Sequence, residues 1–349
     1  MLLLLAAVTL IRVPDSGIQP QAHTDASGRI HLLYFQGQPG AGDLFYRSSA
    51  DAGKSWSSAL RVNTRPNSAI ATGNIRGAHL ALGRNGRPHV AWMGSGQAEP
   101  KSGMFYTRLD AAGKAFEPER NLVTKAWGLD GGGTLAADGG GRVYVLWHAP
   151  TPGTRGEENR QVWVATSTDD GASFAAERPA WPTPTGACGC CGMRAHADAD
   201  GKLRVLYRGT QLMVHRDMYL LTSTDGGGTF EGRKIDEWEV GACVMSTAWL
   251  SEGTSAWETR GQVHAQSGAL PLTAPNQGKR KHPIAVRNGR GNTLLLWTEN
   301  MGWNRGGSLA WQLFDVKGTS AEHGDAPGVP VWSLVSAVAL PSGDFVVLY

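Results

Sequence analysis

The sequence predicts an all-β propeller of seven blades, on three observations. Glycine makes up 47 of 349 residues, and no long window carries apolar residues at the helical i, i+3, i+4, i+7 spacing. A Ser-x-Asp-x-Gly-x-Ser/Thr-aromatic motif recurs along the chain, its aromatic positions 56, 116, 174 and 230 being spaced by 60, 58 and 56 residues. An apolar strand ending in Trp or Tyr returns seven times.

The turn motif is complete at Ser49–Trp56, Ser167–Phe174 and Ser223–Phe230, with a degenerate copy at Asp110–Phe116. Its residue types are those of a tight turn. Ser and Asp oxygens accept backbone N–H groups, Gly takes the left-handed position, and the aromatic anchors the hairpin. The second repeat reads Leu32-Leu33-Tyr34, Val90-Ala91-Trp92, Val145-Leu146-Trp147, Val205-Leu206-Tyr207, Ala256-Trp257, Leu295-Leu296-Trp297 and Val347-Leu348-Tyr349. Each copy follows a glycine turn and an earlier apolar strand, so each is the second strand of a blade (strand B) after an inner strand (strand A).

No C or D strand follows the last hairpin, which ends at Tyr349. The segment from about Val8 to Val13 is therefore expected to supply the outer strand of blade 7, since closing the ring removes an exposed edge. The apolar start is too short for a bilayer, which needs about 20 residues. Leu2 to Ala7 stay open to reading as a signal-peptide remnant, and residues 1–349 read as one domain.

The net charge of +3 is spread over the chain, and the tight basic cluster at Lys279–His282 reads as a solvated turn. Neither a nucleic-acid partner nor a membrane span is expected, and no cofactor is called for. The chain is expected to act as a monomer.

The recurring turns resemble the Asp boxes of the sialidase superfamily and related bacterial-neuraminidase-repeat propellers. That resemblance implies a sialidase-like propeller of six blades, whereas seven B strands favour seven. It also implies three carboxylate-holding arginines, a Tyr–Glu nucleophile pair and an Asp acid/base. Arg12-Val13-Pro14 looks like the family's first arginine motif, but it lies sixteen residues before Gly28 where about ten are expected, so Arg12 reads as a blade-edge residue. No tyrosine falls at an axial position; Tyr207 and Tyr219 sit in blade 4.

Propeller geometry puts the D–A and B–C connections on the face opposite the Asp turns. Starts of A strands and ends of B strands then converge on an axial pocket. They supply Gln19, Gln21, Asn74, Arg76, His79, Asp130, Arg194, Met245, Arg280 and His282, then His148, Arg208, Glu258 and Glu299, with Trp303 in a following loop. Asp130 and Glu258 are the candidate catalytic carboxylates, as glycoside hydrolysis needs two. Arg76, Arg194 and Arg280 come from alternate blades and are candidates to meet on one anion. His148, Arg208, His282 and Trp303 complete the candidate binding set.

Cys188, Cys190, Cys191 and Cys243 begin the adjacent A strands of blades 4 and 5. An even count suggests disulfides and an extracytoplasmic location, with a bridge from Cys243 the easiest. A soft-metal site using these thiolates is the alternative, although Cys-x-Cys-Cys is not a standard zinc spacing. The expected function is an exported propeller that hydrolyses or binds an acidic sugar or other anionic ligand in the axial pocket, leaning towards an exo-sialidase-like glycoside hydrolase. The alternatives are a non-catalytic ligand- or protein-binding propeller and a Cys-based metal or redox site.

Overall fold

A computed structural model describes residues 6–95, 103–272 and 278–349. They form seven small sheets and no α-helix among the described residues. The inner strands are Ile18–Thr24, His79–Leu82, Gly133–Ala137, Arg194–Ala197, Ala248–Ser251, Arg280–Arg287 and Ser336–Ala339. They touch one another in cyclic order, so the sheets stand as seven blades around an axis. Blades 1 to 6 each have four strands in sequence order, and blade 7 has three.

The aromatic residues of the second strands form the core between blades. Tyr34, Trp92, Trp147, Tyr207, Trp257 and Trp297 are all buried. Trp147 also donates its indole N–H to the Ala126 carbonyl at 3.0 Å, which answers the polar need of a buried indole.

The three complete Ser-x-Asp-x-Gly turns repeat one hydrogen-bond pattern. In the first, Gly53 N donates to Ser49 Oγ at 2.8 Å, while Ser55 N donates to Asp51 Oδ1 at 2.9 Å and Ser55 Oγ to Oδ2 at 2.5 Å. The same bonds recur around Asp169 and Asp225. Each turn packs on the preceding blade. Gly171, at φ +79°, lies where a Cβ would strike Tyr106 of blade 2, and Phe174 meets the Tyr106 ring edge-on with centroids 4.7 Å apart. The turns thus join blades as well as reversing strands. Replacing Asp169 by Ala should lower the calorimetric Tm by roughly 2 °C, since one cluster of turn bonds is lost from a large domain.

The ring closes through Val8–Ile11, which pairs in parallel with Phe345–Leu348, Val8 opposite Phe345 and Ile11 opposite Leu348. The segment is the outer strand of blade 7, as expected, and because that blade has three strands it lies directly beside the second one. No antiparallel strand covers that side of Phe345–Leu348, so its free N–H and C=O groups pair with the entering chain itself. Tyr349 N extends the match by donating to Ile11 O at 3.1 Å. The signal-remnant reading falls largely on residues 1–5, which lie outside the described residues, and Ala6 is buried beside blades 5 to 7. Arg12 sits at the blade edge, its guanidinium 3.9 Å over the Tyr349 ring and hydrogen-bonded to Pro327 O. No helix among the described residues is long and apolar enough to cross a membrane.

Candidate functional site

Five inner-strand entries share a local device. Gln19, Asn74, Met245, His282 and Trp332 each take a left-handed φ between +47° and +62° at or just before the inner strand of blades 1, 2, 5, 6 and 7. Non-glycine residues rarely hold this conformation. At blade 6 a register shift between Lys281 and Ile284 accompanies it. There Lys281 and His282, consecutive residues that would face opposite ways in a regular strand, both line one pocket.

That pocket has a mouth of about 200 Å³, lined by Gly73, Asn74, Cys243, Val244, Met245, Lys281, His282, Met301, Gly302, Trp303 and Trp332. All of these come from D–A connections, inner-strand entries or the B–C connection of blade 6, the face opposite the Asp turns. Trp303 is half exposed and meets Trp332 edge-to-face, with ring centroids 6.5 Å apart. Below Asn74 and His282 a narrower space of about 40 Å³ continues between Gln21, His79, Arg194 and Trp249. Arg194 also borders the cavity at the other end of the axis, so its side chain divides the channel.

Arg194 is 4% exposed. Its Nη1 donates to Gln21 Oε1 at 2.6 Å, and its guanidinium lies 4.0 Å over the Trp249 ring. Nε has no hydrogen-bond partner, and no carboxylate among the described residues pairs with it. Burial pulls its pKa down to about 9. Burial also depresses the surrounding imidazoles, His23 and His282 to about 3 and His79 well below its ordinary value, with the Arg194 charge adding to the shift at His23 and His79. These histidines are neutral at pH 7, which leaves Arg194 without a counterion among the described residues.

The other two candidate arginines do not join it. Arg76 is held at the rim by Asp130, Nη2 to Oδ1 at 2.7 Å and Nε to the Asp130 carbonyl at 2.6 Å. Arg280 stacks 4.6 Å over Trp297, and its Nε lies 3.5 Å from Glu299 Oε1. Arg208 is fully buried as a brace, donating to Ser246 Oγ at 2.7 Å and to the carbonyls of Arg216 and Glu258. His148 lies behind the cysteine segment, its Nε2 3.4 Å from the Cys191 carbonyl, and burial lowers its pKa to about 4.

The two candidate acids have different partners. Asp130 is half exposed and engaged by Arg76, with Arg160 Nη2 at 3.9 Å from Oδ2. Glu258 is buried under Lys281, whose Nζ sits 3.1 Å from Oε1 and also bonds the Val244 and Met245 carbonyls. Glu258 Oε2 has no partner, and burial raises the pKa to about 7 against the opposing charge of Lys281. No Asp or Glu lines the mouth or the space below it among the described residues. Neither Asp130 nor Glu258 is therefore among the residues that line these two spaces.

The cysteines are adjacent, as their strand positions imply, and all four are bonded. Cys190–Cys243 ties blade 4 to blade 5, and Cys188–Cys191 closes a short loop beside it. No thiolate is left for the alternative metal site among the described residues in this state. The sequence reading missed Lys281, Met301 and Trp332 as lining residues. Trp332 carried a visible signal, an aromatic at the entry to the last inner strand.

No protein-family model matches the chain, and no curated protein matches it in sequence. Solved structures do share its architecture. An α-L-arabinanase of Penicillium chrysogenum superposes with a TM-score of 0.53 at 13% identity, covering 90% of this chain and 98% of that one. A protein of unknown function from Dyadobacter fermentans gives 0.51 at 14% identity, covering 98% and 96%. A Hadza microbial sialidase gives 0.44 at 15% identity over 93% of this chain and 61% of that one, too distant to carry an argument. At these identities the likeness shows the propeller fold alone.

Proposed function

We propose that this propeller binds a small anionic ligand, an acidic sugar in first place, in the axial pocket, and holds it without hydrolysing it. The observation that carries the reading is Arg194, a buried guanidinium with a free Nε and no carboxylate partner. A buried charge without a counterion is costly, and a bound carboxylate offsets that cost with charge-assisted hydrogen bonds. The half-exposed Trp303 and the neighbouring Trp332 offer apolar faces for a sugar ring. The space is small beside the roughly 300–1,000 Å³ of pockets for drug-sized ligands, which suits a single ring or a smaller acid.

Binding is preferred over turnover because hydrolysis of a glycosidic bond ordinarily uses two flanking carboxylates, and the pocket lining contains neither Asp nor Glu. On this reading the recurring turns are Asp boxes of the sialidase type, and the two disulfides suit an oxidising compartment outside the cytoplasm.

Calorimetric titration with glucuronate, galacturonate and N-acetylneuraminate, each beside a neutral sugar, tests the proposal. At least one acid should bind while the neutral sugars do not. Equal binding of acid and neutral forms, or none by any acid, would overturn it, and release of a fluorogenic aglycone from sialyl or uronyl substrates would overturn the non-catalytic part. Trp303→Ala should weaken the acid's affinity severalfold with little change in Tm, because the side chain is half exposed in the free protein.

A further inference from the structure

We propose that the four cysteines form a thiol–disulfide relay that opens into the axial pocket and takes electrons from a small dithiol substrate. Cys243 is exposed and lines the pocket mouth, while its partner Cys190 is half-buried. Behind them Cys188 and Cys191, both buried, are bonded to each other. Cys188 Sγ lies 3.5 Å from Cys190 Sγ, so the accessible disulfide and the buried one meet at a sulfur–sulfur contact.

A purely structural role accounts poorly for the inner bond. Cys190–Cys243 already joins the blades across 53 residues, whereas Cys188–Cys191 spans only three and removes little freedom from the unfolded chain. Its place against Cys190 gives it another use.

The steps balance as follows. A substrate thiolate attacks Cys243 Sγ, the bond to Cys190 breaks, and Cys190 leaves as a thiolate. The substrate's second thiolate attacks its own sulfur in the mixed disulfide and releases Cys243. Two electrons and two protons have then passed from the dithiol, which becomes a disulfide, to Cys190 and Cys243. Cys190 next attacks Cys188 Sγ and expels Cys191, an exchange with no net electron transfer. The product holds a Cys188–Cys190 bond and thiols at Cys191 and Cys243. Lys281, whose Nζ bonds the Val244 and Met245 carbonyls next to Cys243, places positive charge beside the segment from which Cys243 leaves as a thiolate in the second step.

The test is mass-spectrometric mapping of the native protein after one equivalent of dithiothreitol and rapid alkylation. Label should appear mainly at Cys191 and Cys243, with Cys188 and Cys190 joined. Label confined to Cys190 and Cys243, or no reduction until the protein is unfolded, would overturn the relay. In a Cys191→Ser variant prepared without reductant, Cys188 is freed to attack Cys190, so a share of the free thiol should appear at Cys243. A thiol found solely at Cys188 in folded variant would count against the exchange, and if the variant does not fold the wild-type map decides alone. Neither readout depends on acidic-sugar binding, so this proposal and the ligand reading fail separately.

Discussion

Arg194→Met is expected to weaken acidic-sugar binding strongly while making the free protein more stable. Charge-assisted hydrogen bonds contribute about 1.5–3 kcal/mol each, so losing the guanidinium should weaken the dissociation constant by roughly ten- to a hundredfold. The opposite sign for stability follows from the environment. Arg194 is buried, keeps one neutral hydrogen-bond partner and an aromatic face, and has no counterion among the described residues. Methionine fills much of the same space without a charge to desolvate. Tm at pH 7 should therefore rise in the variant, with titration calorimetry showing the lost affinity. A variant that binds like the wild type removes the axial anion site. A variant that loses both binding and stability shows Arg194 to be a structural cation.

Glu258→Gln is expected to change how stability depends on pH. Burial raises the Glu258 pKa from 4.5 to about 7, so between those values the folded protein holds a proton that the unfolded chain has released. Stability from this group is fully present below about pH 4.5 and falls as pH rises through 7. By pH 8 the wild type bears a buried carboxylate, with a difference of up to about 3 kcal/mol that the ion pair to Lys281 already moderates. The glutamine variant should match the wild type near pH 4.5 and melt higher at pH 8. A Tm difference that stays constant across this range would show that the carboxyl does not titrate there.

The blade count and the pocket face were legible because both are written repeatedly in the chain. A turn motif at Asp51, Asp169 and Asp225 and a buried aromatic on each second strand from Tyr34 to Trp297 give the same answer in blade after blade. The site is written once, and its charges depend on neighbours. Arg280 and Glu299 are direct cross-strand partners, so counting the blade 6 hairpin would have paired them. Arg76 and Asp130 enter adjacent blades at comparable positions and meet there. Arg194 opens its inner strand, and the inner strand of blade 5 opens with Ala248 and Trp249 instead of an acid. The left-handed entries at Met245 and Trp332 were not legible, since these are types that ordinarily avoid that conformation. They re-aim the side chains around them, and so the pocket lining departs from strict strand alternation.

The pairing of Val8–Ile11 with Phe345–Leu348 has a temporal meaning. The partners of that seam lie 337 residues apart, and bringing such distant segments together costs about 5 kcal/mol in chain entropy on a logarithmic loop law. During synthesis the first of these segments leaves the ribosome before the second and stays unmatched until the blades between them have followed. The six four-stranded sheets can each assemble from neighbouring hairpins in the meantime. The axial channel, which needs every inner strand in place around Arg194, comes into being only when these two segments meet.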